Sequence, residues 1–334
     1  MSTRDAMLAL GPLRRARIPW ASITLVPAMV LLIAIGALTN PAFLLPANLL
    51  TILQQSSILA LLVLAESLVL IGGKFDLSLE STVGLAPMIG GWLMSAAAMG
   101  GSGLMLGAWA GIAATLLVGL VIGLANGFLI VRLKLNAFIV TLSMLILLRG
   151  ITLGLTSGST LYDLPGAFTY LGSAVWLGIP SSVWMCVILY AVVGILMRYH
   201  RAGRAIYAIG GNAEAARAAG IRVERVTWMV FVVASLLAAL AGLLLSGRLG
   251  SVTAQQGSNL IFTTFAAAVI GGISLNGGKG SLLGALTGVL LLGIVTNILM
   301  LSQIASFWID ATYGAIILIA QTLVRLTSGG DSQI

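Results

Sequence analysis

Charged residues are scarce in this sequence. Aspartate, glutamate, lysine and arginine together make up 8% of its 334 residues, whereas apolar residues make up 59%. Soluble globular proteins carry about 25% charged residues, because these side chains cover the surface that faces water. The scarcity of charge therefore excludes a soluble enzyme, and the high apolar content excludes a disordered chain.

The sequence also has a single cysteine, Cys186, and a single histidine, His200. One residue of each type cannot build a metal centre or an intrachain disulfide. A membrane-embedded enzyme would need a cluster of histidine, carboxylate or cysteine side chains at one depth, and His200 instead lies between Arg198 and Arg201. We therefore expect neither catalytic residues nor metal ligands in this chain.

Long apolar segments, in contrast, are abundant. A helix that crosses the hydrocarbon core of a bilayer needs about 20 apolar residues, so ten such helices use about 200 residues. The pattern predicts an all-α polytopic membrane protein with about ten transmembrane helices. The predicted segments are 20–38, 49–71, 79–98, 104–131, 136–155, 181–198, 226–246, 260–275, 282–301 and 306–325.

The basic residues are distributed unevenly around these segments. If the N-terminus is cytoplasmic, fifteen of the 17 lysines and arginines fall on the cytoplasmic side, Arg248 falls on the outer side, and Arg149 falls inside a segment. Cytoplasmic loops of membrane proteins carry such an excess of positive charge. The asymmetry predicts that both termini are cytoplasmic. It also assigns the net charge of +8 to membrane lipid contacts, so no nucleic-acid partner is expected.

This topology divides the chain into a cytoplasmic N-terminal segment at 1–19, a single transmembrane domain at 20–325 and a cytoplasmic tail at 326–334. Two connections within the domain are long. The outer loop at 156–180 is rich in aromatic residues, which suit either the membrane interface or a docking surface for another protein. The inner loop at 199–225 contains the most distinctive local pattern.

That pattern predicts a short helix of about two turns at 212–220. Asn212 is a favourable N-cap, Glu214 places a negative charge in the first turn, and Gly220 suits the position where a helix stops. A helix this short is unstable alone in water. It must therefore dock, either on the cytoplasmic surface of its own chain or in a groove of a cytoplasmic partner.

Small residues recur at every fourth position in the fourth predicted segment. Such a row lets two helix backbones approach closely, so we expect it to pack against neighbouring helices. The row consists of Gly103, Gly107, Gly111, Thr115, Gly119, Gly123 and Gly127.

A weaker internal similarity pairs Ile71-Gly72-Gly73 with Ile270-Gly271-Gly272. Transporters often contain internal repeats of this kind.

Four motifs occur in order along the chain: IGGKFDLSLES at 71–81, TLSMLILLRG at 141–150, GRAIYAIGGNAEAARAAGI at 203–221, and IGGISLNGGKGS at 270–281. Together they closely resemble the ribose-type ATP-binding-cassette sugar permeases, and the resemblance extends over about 48–325. It implies a membrane subunit of a bacterial importer in the cytoplasmic (inner) membrane. Such a subunit moves a monosaccharide or a related polyol into the cell.

The resemblance also implies partners: two cytoplasmic ATPase subunits, a second permease copy that is identical or paralogous, and a periplasmic or lipoprotein sugar-binding protein. ATP and Mg²⁺ would bind the ATPase, because Gly277-Gly278-Lys279-Gly280-Ser281 lacks the spacing of a phosphate-binding loop. No cofactor is expected in this chain. The helix at 212–220 would be the coupling helix, with Asn212, Glu214, Arg217 and Gly220 as contact or shape residues.

Polar residues near and within the segments are candidates for the gate and the pathway. Glu80 departs from the family pattern, which often has a small residue there. Asp76 or Ser78 can cap the third segment with Glu80 in its first turn; alternatively, Glu80 forms a salt link to Lys74 or to 199–225. The gate candidates are Asp76, Ser78, Glu80, Gly277 and Gly278. The pathway candidates are Gln54, Gln55, Ser57, Glu66, Arg149 and Asn259.

Two other functions stay open at this point. A branched-chain amino acid permease is of the same class but carries a different substrate. A secondary transporter driven by ions would need several carboxylates inside the membrane, for which Glu66 is the main candidate. The pathway candidates also have a structural alternative, because polar side chains hydrogen-bond between packed helices.

Overall fold

A computed structural model describes residues 20–327. The predicted segment 1–19 and residues 328–334 of the predicted tail lie outside the described residues. The helices are α1 (Trp20–Thr39), α2 (Pro46–Ile71), α3 (Ser78–Met94), α4 (Ala108–Gly127), α5 (Ala137–Thr156), α6 (Gly166–Ser173), α7 (Ser181–Tyr199), α8 (Arg201–Gly211), α9 (Ala213–Ala218), α10 (Val223–Leu249), α11 (Leu260–Ile270), α12 (Leu282–Leu301) and α13 (Ser306–Thr327). A 3₁₀ turn at Ala97–Met99 and a π-helical turn at Phe128–Arg132 precede and follow α4, and a two-stranded hairpin pairs β1 (Val175–Trp176) with β2 (Ile179–Pro180).

A helix lies on each of the ten predicted segments, and six of these helices are long and apolar enough to cross a membrane. The six are α2, α4 with its π-helical turn, α5, α7, α10 and α12. The fold is therefore an all-α polytopic membrane protein. The count of ten spans and the cytoplasmic location of both termini stay predictions.

The long helices α2 and α10 form the centre of the molecule. The apolar window of α2 is 78% buried and that of α10 is 67% buried, against 22% for α5 and 28% for α7. Helix α10 packs against α4, α2, α3 and α6, and α2 packs also against α12, α7 and α11. The apolar side chains that α5 and α7 leave exposed suit contact with lipid, because lipid tails are as apolar as those side chains.

The row of small residues on α4 packs against α3 and α10, as the sequence predicts. A Cβ atom added to Gly123 would lie 2.6 Å from the Cα of Val232, and one added to Gly119 would lie 2.6 Å from the Cβ of Ala239. Both contact residues belong to α10. Gly103 and Gly107 precede α4 and lie outside the helical contact.

Replacing Gly123 with alanine should destabilise the fold by about 1–3 kcal/mol, because the added methyl group overpacks a backbone contact. The matched control is Gly150→Ala on α5, where an added Cβ atom meets no atom within 4 Å. Alanine also has the higher helix propensity, so the control should unfold at the same temperature as the parent or slightly above it. Thermal unfolding in detergent distinguishes the two variants, and equal midpoints would contradict the close contact between α4 and α10.

Both long connections contain regular structure that the sequence analysis did not predict. The segment 199–225 is not a simple loop, because α8 fills its first half and precedes the predicted short helix. On α8, Ala205, Ile206 and Ile209 are buried while Arg201 is exposed. The outer loop contains α6 and the β1–β2 hairpin, and an isolated bridge joins it to the segment after α10.

Candidate functional site

The predicted short helix is present as α9. The Oδ1 atom of Asn212 accepts a hydrogen bond from the backbone N–H of Ala215 at 2.9 Å, which is an N-cap contact. At the other end, the N–H of Gly220 donates to the carbonyl of Arg217 at 2.9 Å. Gly220 has φ +82°, a conformation that favours glycine at a helix stop.

Helix α9 docks on its own chain with one face and exposes the other. Ala216 is buried in a small cluster with Ile209 and Val223. The remaining residues of α9 are exposed, and Arg217 forms an exposed ion pair with Glu224 at 2.7 Å. The own-chain alternative from the sequence is therefore correct for one face, and the other face is available to a partner.

Five glycines from three segments meet directly beside α9, and we call this contact the glycine junction. It consists of Gly73 after α2, Gly210 and Gly211 at the end of α8, and Gly277 and Gly278 before α12. These backbones leave no room for a side chain. A Cβ atom added to Gly277 would lie only 2.7 Å from the Cα of Gly73. The three segments therefore pack backbone against backbone, with no side chains between them.

Two hydrogen bonds hold the segments of the junction together. The N–H of Gly278 donates to the carbonyl of Ile71, the last residue of α2, at 2.9 Å. The hydroxyl of Tyr207 on α8 donates to the carbonyl of Gly280 at 3.0 Å. A cavity of about 490 Å³ lies beside the junction and is lined in part by Lys74, Lys134 and Arg217.

Helices α2 and α11 end in the same way. The backbone N–H groups of Gly72 and Gly271 donate to carbonyls four residues earlier, and those of Gly73 and Gly272 donate to carbonyls three residues earlier. Gly73 has φ +74° and Gly272 has φ +84°. The similarity between 71–73 and 270–272 therefore extends to the backbone, as expected of an internal repeat.

A buried ion pair joins Glu80 on α3 to Arg149 on α5. The Nη2 of Arg149 lies 3.2 Å from the Oε1 of Glu80, and their side chains are 17% and 9% exposed. The Nη1 of Arg149 donates to the carbonyl of Gln256 at 3.0 Å. The alternative partners expected for Glu80, Lys74 and the 199–225 segment, are wrong because Arg149 occupies this position.

The same pair supports the start of α11. The Oε2 of Glu80 accepts the backbone N–H of Ile261 at 3.2 Å, and such an N–H at the first turn has no partner within its own helix. Gln256 is buried and donates to the carbonyl of Val83 at 3.1 Å and to the hydroxyl of Ser246 at 3.0 Å. Glu80 and Arg149 thus act in helix packing, and Arg149 is absent from the lining of the polar cavity described next.

A cavity of about 360 Å³ lies between α2, α10, α11, α12 and α13. Most of its lining is apolar, and we call it the polar cavity after the polar side chains that line the rest, among them two of the six pathway candidates, Gln55 and Asn259. Arg248 and Thr263 line it as well. Gln54 and Ser57 instead bind neighbouring elements: Gln54 donates to the carbonyl of Gly172 at 3.3 Å, and the Ser57 hydroxyl donates to that of Ser182 at 2.9 Å. These two residues make the hydrogen bonds between packed elements that the structural alternative describes.

The remaining candidates, Glu66, Asp76 and Ser78, are completely buried. The N-cap position of α3 is occupied by Leu77, without a side-chain cap, so neither Asp76 nor Ser78 is the cap expected from the sequence. Asp76 instead precedes the cap, and its Oδ1 accepts the backbone N–H of Ser78 at 3.0 Å. Burial raises the pKa of Asp76 to about 6, while hydrogen bonds from Ser78 oppose the shift. Neither Asp76 nor Glu66 lines the polar cavity.

Four residues at these contacts and cavities are not among the candidates predicted from the sequence: Gly210, Gly211, Asn126 and Arg248. The signal for Gly210 and Gly211 was present, because paired glycines directly before a capped helix indicate close backbone contact. Arg248 was recognised as the one basic residue on the outer side, which could have marked it as functional. Asn126 had no local signal, since its partner Ser78 lies 48 residues away.

Comparison with known proteins agrees with these features. The family model for the permease component of branched-chain amino acid transport systems matches residues 48–321. The ribose import permease proteins of Haemophilus influenzae and Bacillus subtilis are each 35% identical to this chain, covering 88% and 89% of it and 90% and 91% of their own lengths. The autoinducer 2 import system permease protein of Escherichia coli is 33% identical over 89% of this chain and 84% of its own length. No solved structure matched the chain.

The matched region contains the glycine junction, helix α9, the buried ion pair and nearly all of the transmembrane helices. Identity of about one third extends over almost nine tenths of the chain, so the resemblance is not confined to single motifs. The chain therefore belongs to the permease family that this model describes, and within it to the ribose-type sugar permeases of ATP-binding-cassette importers.

Proposed function

We propose that this chain carries a monosaccharide or a related polyol across the inner membrane, as ribose import permeases do by name. The observation that carries the proposal is the connection between α9 and the glycine junction. An exposed face of α9 is available to a driving partner. Helix α9 directly follows the end of α8, where Gly210 packs against the end of α2 and the segment before α12. This arrangement suits a subunit that receives motion from outside itself.

The partners we propose follow the family. Two cytoplasmic ATPase subunits would bind ATP and Mg²⁺ and contact α9, and a periplasmic or lipoprotein binding protein would deliver the sugar. A second permease copy, identical or paralogous, would complete the pathway. With ten spans and both termini in the cytoplasm, as the charge asymmetry predicts, α9 faces the ATPases.

The mechanism we propose is alternating access. Closure of the ATPase pair on ATP would move α9, and the glycine junction would pass this motion to α2 and α12. A partner shifts a conformational equilibrium only if it binds the two conformations with different affinity. The ATPases must therefore bind α9 differently in the two conformations of the permease. The end of α8 at Gly210 and Gly211 would act as the rigid link.

The polar cavity is the proposed part of the pathway in this chain. Its amide and hydroxyl groups, including those of Gln55, Asn259 and Thr263, can hydrogen-bond the hydroxyl groups of a sugar. A site that holds its substrate weakly suits transport, since the substrate must also leave. High affinity would then reside in the separate binding protein, as the family implies.

A bulky substitution on the exposed face of α9 tests the coupling assignment. Ala218→Trp should abolish sugar uptake and the co-purification of an ATPase, because the indole ring would block docking without entering the buried cluster. Ala98→Trp is the matched control, since Ala98 is an exposed alanine in the connection between α3 and α4, at the predicted outer end of the third segment. Membrane content of both variants should equal that of the parent, and normal uptake by Ala218→Trp would refute the proposed coupling helix.

The driving force and the substrate are tested with the complex in liposomes. Uptake should require ATP and should be competed by unlabelled sugars but not by branched-chain amino acids. Transport of a solute on a sodium or proton gradient, without ATP or an ATPase, would instead establish an ion-coupled transporter. Competition by leucine would assign the substrate to the amino acid branch of the family.

A further inference from the structure

Two carboxyl groups lie together in the interior where the chain turns from α2 into α3. Glu66 and Asp76 are both 0% exposed, and the Oε1 of Glu66 lies 3.5 Å from the backbone nitrogen of Asp76. One oxygen of Asp76 accepts hydrogen bonds from the backbone and the hydroxyl of Ser78. Neither carboxyl group has a role in the proposed coupling or in the polar cavity.

Three acceptor oxygens around this pair have no hydrogen-bond partner among the described residues: Glu66 Oε2, Asp76 Oδ2 and Asn126 Oδ1. Asn126 is also 0% exposed, and its amide nitrogen donates to the Ser78 hydroxyl at 2.8 Å. Its amide group is therefore directed at the same cluster. Buried polar atoms almost always have a partner, so three free acceptors in one place indicate a missing positive or donor group.

No lysine or arginine of the described chain supplies that positive charge through an ion pair. The two ion pairs present join Arg149 to Glu80 and Arg217 to Glu224. The other charged or titratable side chains on the elements that surround the pair are the exposed Lys74, Arg132, Arg198, Tyr199, Arg201, Arg204 and Arg225, the partly buried Arg248 and Tyr207, and the buried Cys186 and Tyr190.

Two carboxylates in a low-dielectric interior cannot both stay ionised without a compensating cation. We propose that Glu66 and Asp76 bind one monovalent cation, a proton or a sodium ion, with the Asn126 amide oxygen as a further ligand. Carboxylate and amide oxygens are hard ligands, and the proton and the sodium ion are hard cations, so these oxygens suit either of them. The bound cation would hold together the end of α2, the start of α3 and the end of α4. The site is independent of the proposed function, because this chain supplies all of its groups.

The test uses the purified full chain in detergent, without sugar, ATP or ATPase. Thermal unfolding is followed while sodium replaces choline at constant ionic strength and pH 8.5, and then while the pH is lowered to 5.5 without sodium. Binding of a cation to the folded state alone should raise the midpoint by about 5 °C. A rise with sodium identifies sodium as the ligand, whereas a rise with acid alone identifies the proton.

Glu66→Gln should reduce this response, because it removes one of the two carboxyl groups that hold the cation. Asp76→Asn should reduce it as well and serves as a second variant, since asparagine can still accept the Ser78 hydrogen bond. The matched control is Asp163→Asn, which removes an exposed carboxyl group and should respond like the parent. Equal responses of the parent and both buried-site variants would overturn the proposal, as would a parent that responds to neither cation.

Discussion

Replacing Gly210 with alanine should lower sugar uptake by about tenfold or more, because the added methyl group overpacks a contact between backbones. The Cβ atom added at Gly210 would overlap the carbonyl oxygen of Ile71 and lie 2.5 Å from the backbone nitrogen of Gly278. Neither backbone group can rotate aside as a flexible side chain would. The substitution therefore separates α8 from the end of α2 and loosens the link between α9 and the transmembrane helices.

The adjacent glycine provides a matched control. A Cβ atom on Gly211 meets no atom within 4 Å, so Gly211→Ala should transport at the parent rate. Uptake of labelled sugar should be measured in cells at equal membrane content of each variant. ATP hydrolysis by the purified complex should also be measured, and we expect Gly210→Ala to hydrolyse ATP with little accompanying transport. Equal uptake by both variants would show that the junction does not transmit motion.

Removing one member of the buried ion pair should be the most destabilising single change in this chain. Arg149→Met leaves Glu80 buried without its partner, and breaking a buried pair in this way costs about 3–5 kcal/mol. Adding Glu80→Gln to Arg149→Met should restore much of the lost stability, because glutamine is uncharged and can still accept the N–H of Ile261. Unfolding of Arg149→Met, Glu80→Gln and the double variant in mild detergent measures the coupling between the two residues.

The exposed ion pair is the comparison for this experiment. Arg217 and Glu224 are 56% and 57% exposed, and exposed pairs contribute little to stability. Glu224→Gln should therefore leave the unfolding midpoint unchanged. If the double variant at positions 80 and 149 loses as much stability as both single changes added together, the two side chains do not interact and the assigned pair is incorrect.

The features that the sequence predicted well depend on residues close together in the chain. The cap at Asn212, the stop at Gly220 and the small-residue face of α4 each follow from spacing within one or two helical turns. The long apolar helices follow from uninterrupted apolar composition. The ends of the third and eighth segments were predicted too far along, because α3 ends at Met94 and α11 ends at Ile270.

The contacts that the sequence did not predict join distant parts of the chain. Arg149 and Glu80 are 69 residues apart, and the choice between Arg149 and Lys74 as the partner depends on how α3 packs against α5. Helix α8 was missed because glycines at 203, 210 and 211 weaken helix propensity, whereas tertiary contacts of its buried face stabilise it.

The surroundings of the individual pathway candidates could not be predicted from the sequence either. Gln54 and Gln55 are adjacent and chemically identical, yet Gln54 binds the carbonyl of Gly172 while Gln55 lines the polar cavity. Successive residues on a helix point about 100° apart, so neighbours face different surroundings. The sequence contains the polar residues but not the rotation of α2 that selects which of them face the cavity.

The pairing of Arg149 with Glu80 has a consequence for how the membrane potential acts on this protein. Moving one elementary charge through the whole potential requires about 2.3 kcal/mol per 100 mV. The two side chains carry opposite charges 3.2 Å apart, so they lie at nearly the same depth and the electrical work on one offsets the work on the other. When α3 and α5 move together, the potential therefore neither assists nor opposes them. Rearrangement of this region should proceed equally well in energised and de-energised membranes.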